Sequence, residues 1–481
     1  MKTTETLIID PSSVEGLDEG TAAKLRELLR AYQYHKPNND KKTQYYEGHI
    51  PLSDVNLGIA LPKAFKNLEI GCEWGSKCVD VLAARSMFDG YVGANGDTVD
   101  RLNDLVEENQ LMAQYMKACK DELKFGCTFA TLSADSRNRS GCRIRFHSPQ
   151  SAAALWSGKK GRIDCGLAII DTRPDESDQT WQPSMVNVYT DDAIWVLERA
   201  EAGPWKATRM PHKMGRPLME PMIWNATSAK PFGRSRIKEP VRRLIEGYVR
   251  TVANATIGLE FATSPQKYLL GVSDEQYDAI VNQKFRQYVG SILASTTNPE
   301  TGANPVFGQL QQGSIEPHVQ MMRILATQFS AATGLPVTDT GVINDANPTS
   351  SDAIEAQTKT MVTLAEQLNT GNGDALKNIA LMAQAIANNS TLQDLTDEER
   401  DVVAHFKNPA MPSVASTADA ATKIASSRPE FAQTDVYLEM VGFDQADIRR
   451  IKAQEQRTRG LNLIDEVDTE NEEPEAEGAE A

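Results

Sequence analysis

No run in this 481-residue chain approaches the roughly 20 consecutive apolar residues that a bilayer-crossing helix needs, so no membrane span is expected. The stretch from Met1 to Asp10 lacks the long apolar core and small-residue cleavage site of a secretory signal. Cys-x-x-Cys pairs are missing as well. The six cysteines, at 72, 78, 119, 127, 142 and 165, have no neighbouring histidine pair to complete a metal set, and they are expected to be reduced, partly buried thiols. The six histidines (35, 49, 147, 212, 318 and 405) stand alone at wide intervals and read as surface or satisfied core residues. There is no Gly-x-x-x-x-Gly-Lys-Ser/Thr phosphate cradle, no His-Glu-x-x-His and no Gly-x-Ser-x-Gly. Acid pairs such as Asp191-Asp192 fit turns better than general acid–base work. No catalytic residue, metal or cofactor is nominated, and the chain is not expected to be an enzyme.

A basic excess is also lacking. The net charge is −16, and nine Asp and Glu residues with no Lys or Arg fall between Asp465 and Ala481; setting those nine aside leaves −7 for the rest. A protein that grips nucleic acid over a broad surface draws on Lys and Arg for its phosphate contacts, so tight nucleic-acid binding is excluded. The acidic end, nearly free of aromatics, cannot offset its own ordering entropy and is expected to be disordered. With 40% hydrophobic and 24% charged residues the composition is that of an ordinary globular protein. The length exceeds what one core organises, so two or more regions are expected.

Taken in order, Leu25, Leu28, Leu29 and Tyr32 predict a short amphipathic helix over 21–32, broken by Pro37-Asn38-Asn39-Asp40. Residues 79–88 read as a helix, and 98–126 as another with Leu102, Leu105, Leu111, Met112, Tyr115, Met116 and Leu123. Short strands follow at 127–132, 142–146, 167–170, 186–189 and 193–197, separated by Gly, Asp, Ser and Pro clusters, and Trp205 with Pro221-Met222-Ile223-Trp224 closes this part. The class is therefore α+β.

The organising stretch is 233–368. Ser235 can accept a bond from an orphan backbone N–H, and apolar residues recur at Ile237, Val241, Leu244, Ile245, Tyr248, Val252, Ala255 and Leu259. Pro240 leaves two alternatives: a kink there, or a helix beginning near Glu239 with Pro240 first. An insert over 264–313 holds a small helix near 274–287 between apolar patches at 268–270 and 288–293, and it buries too little surface to stand without neighbours in an assembly. A second helix carries Ile315, Val319, Met322, Leu325 and Phe329 and stops at Gly334-Leu335-Pro336. The polar segment after it has no Lys or Arg, and Thr349 with Asp352 has capping-box spacing. A third helix shows Ile354, Met361, Leu364 and Leu368, is expected to be interrupted by Gly371 and Gly373, and resumes with Leu376, Ile379, Ala383 and Ile386. Beyond Thr396-Asp397-Glu398-Glu399, helices are expected near 416–426 and 444–457.

Several of these stretches together resemble one family. Tyr45-Tyr46-Glu47-Gly48-His49, then Asn67 ahead of a helix and Gly90, resemble the opening of tailed-bacteriophage portal proteins, the siphovirus-like head-to-tail connectors. So do Gly233-Arg234-Ser235-Arg236-Ile237, the run Phe329 to Pro336, Asn347-Pro348-Thr349-Ser350-Ser351-Asp352-Ala353-Ile354, and Phe406-Lys407-Asn408-Pro409 with the 418–423 stretch. The order covers roughly residues 20 to 460. Arg236 departs from relatives in which proline often follows the serine.

The resemblance implies a portal fold: a helical and β-rich wing (1–235, with the long helix of 351–405), stem helices at 236–262 and 314–333, a small α/β clip at 263–313, a tunnel loop at 334–350, a helical crown at 406–463 and an acidic tail at 464–481. It implies a homo-oligomeric ring, usually of twelve, at one capsid vertex of the virion, assembled in the host cytoplasm. Double-stranded DNA would pass along its axis in packaging and ejection. The implied partners are the terminase large subunit, head-completion or adaptor proteins, and the major capsid and scaffolding proteins. Thr338, Asp339, Thr340, Val342, Asn344, Asp345 and Asn347 would line the channel, where polar and negative groups attract phosphate little. Lys238, Arg242, Arg243 and Arg250 are candidates for phosphate or inter-subunit contact, since Glu239, Glu246 and Glu260 share their helix. The alternatives are a packaging enzyme (terminase or virion nuclease) and another minor head protein.

Overall fold

The structure is a computed structural model that describes residues 7–50, 70–93, 96–174, 181–199, 203–263, 267–275, 297–299, 301–302, 304–309, 314–342, 351–410, 414–443, 447–448 and 450–458. Helix α1 (Glu19–Tyr46) is followed by strands β1 (His49–Ile50) and β2 (Ile70–Gly71), helix α2 (Trp74–Ala83) and strand β3 (Phe88–Gly93). Helices α3 (Gly96–Glu108) and α4 (Leu111–Phe125) lead into a run of strands: β4 (Cys127–Ala134), β5 (Cys142–His147), β6 (Ala152–Ser157), β7 (Arg162–Pro174), β8 (Trp181–Tyr189), β9 (Ala193–Arg199), β10 (Trp205–Pro211) and β11 (Met219–Ile223). Then come α5 (Glu239–Thr263), β12 (Lys267–Leu270), β13 (Val306–Gln309), α6 (Glu316–Thr333) and α7 (Ser351–Ala387). The series ends with α8 (Asp397–Arg400), β14 (Val402–Phe406), α9 (Val414–Ser427) and α10 (Asp435–Val441). The strands pair antiparallel and are segregated from the long helices, which is α+β organisation.

Two compact units share this chain. The larger comprises 1–36, 82–234 and 362–481, the smaller 37–81 and 235–361. In the larger unit β10-β9-β8-β7-β6 form a meander, β11-β4-β5 a three-stranded sheet, and β14 pairs with β3. The stripe read from Leu25, Leu28, Leu29 and Tyr32 is buried on the meander against Leu167, Val186, Val188, Trp195, Leu197 and Trp205. Burying such a side chain contributes roughly 1.5–3 kcal/mol, which is why this short face can anchor a much longer helix. The Tyr32 hydroxyl reaches beyond the stripe and donates to the Gln150 carbonyl at 2.7 Å. All six cysteines are free and buried, more completely than expected, and burial pushes Cys142 and Cys165 up to about 12. His147 is a satisfied core residue: its Nε2 lies 2.9 Å from the Thr131 hydroxyl, and burial pushes it down to about 4.

Tertiary packing overrides four local signals. Helix α1 runs unbroken through Pro37, where the two units divide, although a proline there removes a donor. The helix read over 79–88 spans Trp74–Ala83 instead, and Phe88 opens a strand. The helix read over 98–126 is two, parted at Gln110, which adopts φ 50°. Gly371 and Gly373 do not interrupt α7: glycine in a helix costs roughly 1 kcal/mol, and buried Leu368, Leu376 and Ile379 offset it. A capping box that the sequence reading did not single out forms at Thr396 and Glu399, and α9 covers the helix read near 416–426. The stretch 450–458 is likewise helical. Residues 276–296, the box residue Thr349 and the tail from 459 lie outside the described residues.

At the centre of the larger unit, α4 and α7 meet through polar groups. The Asn372 amide donates to the Tyr115 hydroxyl at 3.0 Å and to Glu122 Oε2 at 2.8 Å. Tyr115 in turn meets Ser86, which donates to Asn369 Oδ1 at 2.6 Å. Two acceptors in this cluster, Glu122 Oε1 and Asn372 Oδ1, are buried without a partner. Burial pushes the Glu122 carboxyl up to about 8, so it holds a proton at neutral pH. A protonated Glu122 can pair head to head with the Asn372 amide, and its O–H supplies the one donor that both acceptors lack. Tyr115 and Cys119 beside it are also raised by burial and stay neutral.

The raised value fixes the sign of a pH effect. The folded chain keeps a proton that the unfolded chain releases above 4.5, so stability falls as pH rises from 4.5 to about 8 and then levels. Glu122→Gln, whose amide reproduces the neutral pairing, is expected to abolish this contribution, on the order of a few kcal/mol at the alkaline end. Denaturant unfolding of both proteins across that window checks it; an unchanged slope in the variant would assign the proton to another group.

Candidate functional site: a helix pair and its terminal turn

Within the smaller unit, α5 and α6 pack along each other. Helix α5 begins at Glu239 with Pro240 in its first turn, which decides between the two alternatives that Pro240 left. Ser235 does accept a backbone bond, from Ile237 N at 2.9 Å, but one turn ahead of the helix. The buried stripe runs through Ile237, Val241, Ile245, Val249 and Ala253, all fully buried; Leu244, Tyr248 and Val252 flank it half-buried, and Leu259 is exposed. From α6, Leu325, Ala326 and Phe329 face inward, while Met321 and Ile324 remain exposed.

Gly334 ends α6 at φ 73°, as its sequence predicts, and its N–H bonds Ser330 O at 2.8 Å. The turn behind it is tied inward at several points. The Ser330 hydroxyl donates to Leu335 O at 2.6 Å, the Thr333 hydroxyl to Phe329 O at 2.7 Å, and Leu335 is buried. A short 3-10 turn, Val337–Thr340, follows.

The residues singled out by sequence are placed differently from one another. Thr338 is exposed, and Asp339 and Val342 are half-buried. Thr340 is buried, its hydroxyl donating to Val337 O at 2.6 Å. Asn344, Asp345 and Asn347 lie outside the described residues. On α5, Lys238, Arg243 and Arg250 are exposed. Arg243 pairs with Glu239 at 2.6 Å, which raises the arginine and holds the Glu239 carboxyl below the usual range. Arg242 lies over the Tyr45 ring at 5.8 Å and donates to Asn38 Oδ1 at 3.4 Å. The Tyr45 hydroxyl in turn bonds Glu246. Part of the positive charge on α5 is therefore engaged within the chain itself.

Two residues that sequence reasoning did not select hold the turn. Trp74, the first residue of α2, lies between Tyr248 (4.4 Å) and Phe329 (4.7 Å) and donates its indole N–H to Thr340 O at 3.0 Å. Arg236 is buried and donates to Cys78 O and, at 2.6 Å, to Thr333 O. Burial lowers its pKa, and its place at the C-terminus of α6 is where a cation is favoured. The departure from relatives at 236 was the one available signal. Among the described residues no group of three or more His, Cys, Asp or Glu could hold a metal ion, and no helix is long and apolar enough to cross a membrane.

The smaller unit thus carries a long helix pair closed by a glycine-capped turn that is tied back to its own side chains. Residues 25–460 match the family described as "Phage portal protein, SPP1 Gp6-like", and the chain belongs to it. That family is a structural, non-enzymatic component of the phage head. The chain is similar to the portal protein of Mycobacterium phage D29, 22% identical over 91% of this chain and 90% of the relative. It is also similar to that of Mycobacterium phage L5, 21% identical over 84% and 82% respectively. Among solved structures, a chain from the "Virion of native gene transfer agent (GTA) particle" aligns with a TM-score of 0.45 at 10% identity, over 84% of this chain and 93% of that one.

Because Gly334 sits in the left-handed region, any side chain there is strained. Gly334→Ala is expected to lower unfolding stability by about 1 kcal/mol, read as a shifted denaturation midpoint at unchanged slope.

Proposed function

We propose that copies of this chain form a ring, of twelve subunits, at one vertex of the capsid, and that double-stranded DNA passes along its axis during packaging and ejection. The observation that carries the reading is the family match over residues 25–460. In this reading α5 and α6 are the stem, 263–313 the clip, 334–350 the tunnel loop, 406–463 the crown, and 1–235 with 351–405 the wing. The exposed Leu259, Met321 and Ile324 support it, since they are apolar side chains on the helix pair that neighbouring subunits would cover. So does the two-stranded β12–β13 sheet, with Tyr268, Leu270, Val306 and Phe307 exposed among the described residues, because two short strands by themselves are marginal in water. The terminase large subunit and the head-completion or adaptor proteins dock in turn on the clip, the major capsid and scaffolding proteins surround the wing, and the ring assembles in the host cytoplasm before incorporation into the virion.

The absence of Lys and Arg from 334–350 suits a surface that a polyanion slides past. Native mass measurement is expected to give a ring of twelve times 52.9 kDa; a stable monomer would overturn the reading. Replacing Asp339 and Asp345 together with arginine is expected to leave the ring mass unchanged and to impair DNA passage, measured as packaged genome per particle. Full packaging and ejection by that double variant would remove these two side chains from the mechanism.

A further inference from the structure

The turn after α6 is held at both ends by donors that come from outside it. Arg236 grips its start at Thr333 O, and Trp74 grips its end at Thr340 O. Both grips lead to α2, because the same guanidinium holds Cys78 O and Trp74 is the first residue of that helix. Helix α2 is itself fixed against α1: a Cβ on Gly75 would lie 1.9 Å from Tyr45 O, so only glycine permits the approach. Tyr45 then bonds Glu246 of α5, closing the frame on the helix pair.

We propose that Trp74 and Arg236 are positioning residues for the polar turn, fixing Thr338 and Asp339 in the place from which they meet DNA. The inference rests on the portal reading for its function and on geometry for its mechanism. Trp74 does two separable things. Its ring fills the space between Tyr248 and Phe329, a role that phenylalanine can take over. Its N–H holds Thr340 O, which phenylalanine, having no donor, cannot do. The fork of Arg236 reaches two carbonyls on two helices at once, and lysine, with a single nitrogen, cannot span both.

The test separates holding the turn from filling the core. In Trp74→Phe, hydrogen exchange at the amides of 337–342 is expected to rise roughly tenfold, the equivalent of one buried hydrogen bond lost, while amides within α5 and α6 keep their rates. Arg236→Lys is expected to do the same at the amides of Gly334 and Leu335. A phage carrying Trp74→Phe should assemble rings of normal mass and package less DNA. Trp74→Leu, which also empties the aromatic site, should speed exchange along both helices and lower the melting temperature. The proposal is overturned if Trp74→Phe leaves the turn's exchange unchanged, or if exchange rises equally along α5 and α6, which would make Trp74 a core-filling residue only. It is likewise overturned if the turn loosens and DNA packaging is unaffected. Should the unaltered protein form no ring, the portal reading fails while the exchange result still stands, so the two failures are distinguishable.

Discussion

Helix α6 cannot end in the interior of its unit without partners for its last carbonyl groups, and supplying those partners organises everything around it. Gly334 turns the chain back and its N–H takes Ser330 O, while the Arg236 guanidinium takes Thr333 O. That last bond brings a positive charge to the negative end of a helix and couples the terminus to α2. Arg236 is thus a cation held by backbone dipoles, and such a charge is tolerated inside a protein only when its donors are matched.

The larger unit solves a related problem without a charge. Where α4 crosses α7, the groups that meet are an acid, an amide, a phenol and two smaller polar side chains. Donors run in one direction, from Asn372 to Tyr115 to Ser86 to Asn369, and the chain of bonds closes only when Glu122 brings a proton. A network of this kind fixes one register between two helices that apolar contacts alone would let slide. The 37-residue α7 is pinned at Asn372.

What was legible in the sequence followed the range of the interaction. The stop at Gly334-Leu335-Pro336 and the stripe from Leu25 to Tyr32 are local patterns, and the structure carries both of them. The expected breaks at Pro37 and at Gly371 were local too, but there packing along the rest of the helix outweighs the local penalty. Strand β3 read as the end of a helix because its partner β14 lies roughly three hundred residues away, and nothing near Phe88 announces it. Trp74 was invisible for the same reason, and Arg236 showed only as a departure from relatives: each acts through a carbonyl contributed by a distant turn. The polar turn was found by composition alone, which could not distinguish exposed Thr338 from buried Thr340.

A duct for a polyanion faces opposite demands, because it must be rigid enough to hold a shape and must offer little that phosphate can hold. Lysines and arginines at the surface would release counterions on contact and bind more tightly as salt falls, which is a clamp. On the proposed reading the stem avoids this partly by internal bookkeeping of charge: Arg243 is matched by Glu239, and Arg242 rests on Tyr45 beside Asn38. Rigidity then has to come from groups that carry no net charge toward the axis. Stacked rings, hydroxyls returned to their own backbone and an indole N–H on a carbonyl are such groups, and the turn is built from them. The buried guanidinium completes the set without weakening the principle, because its charge is spent on carbonyl dipoles inside the subunit and is screened from whatever moves outside.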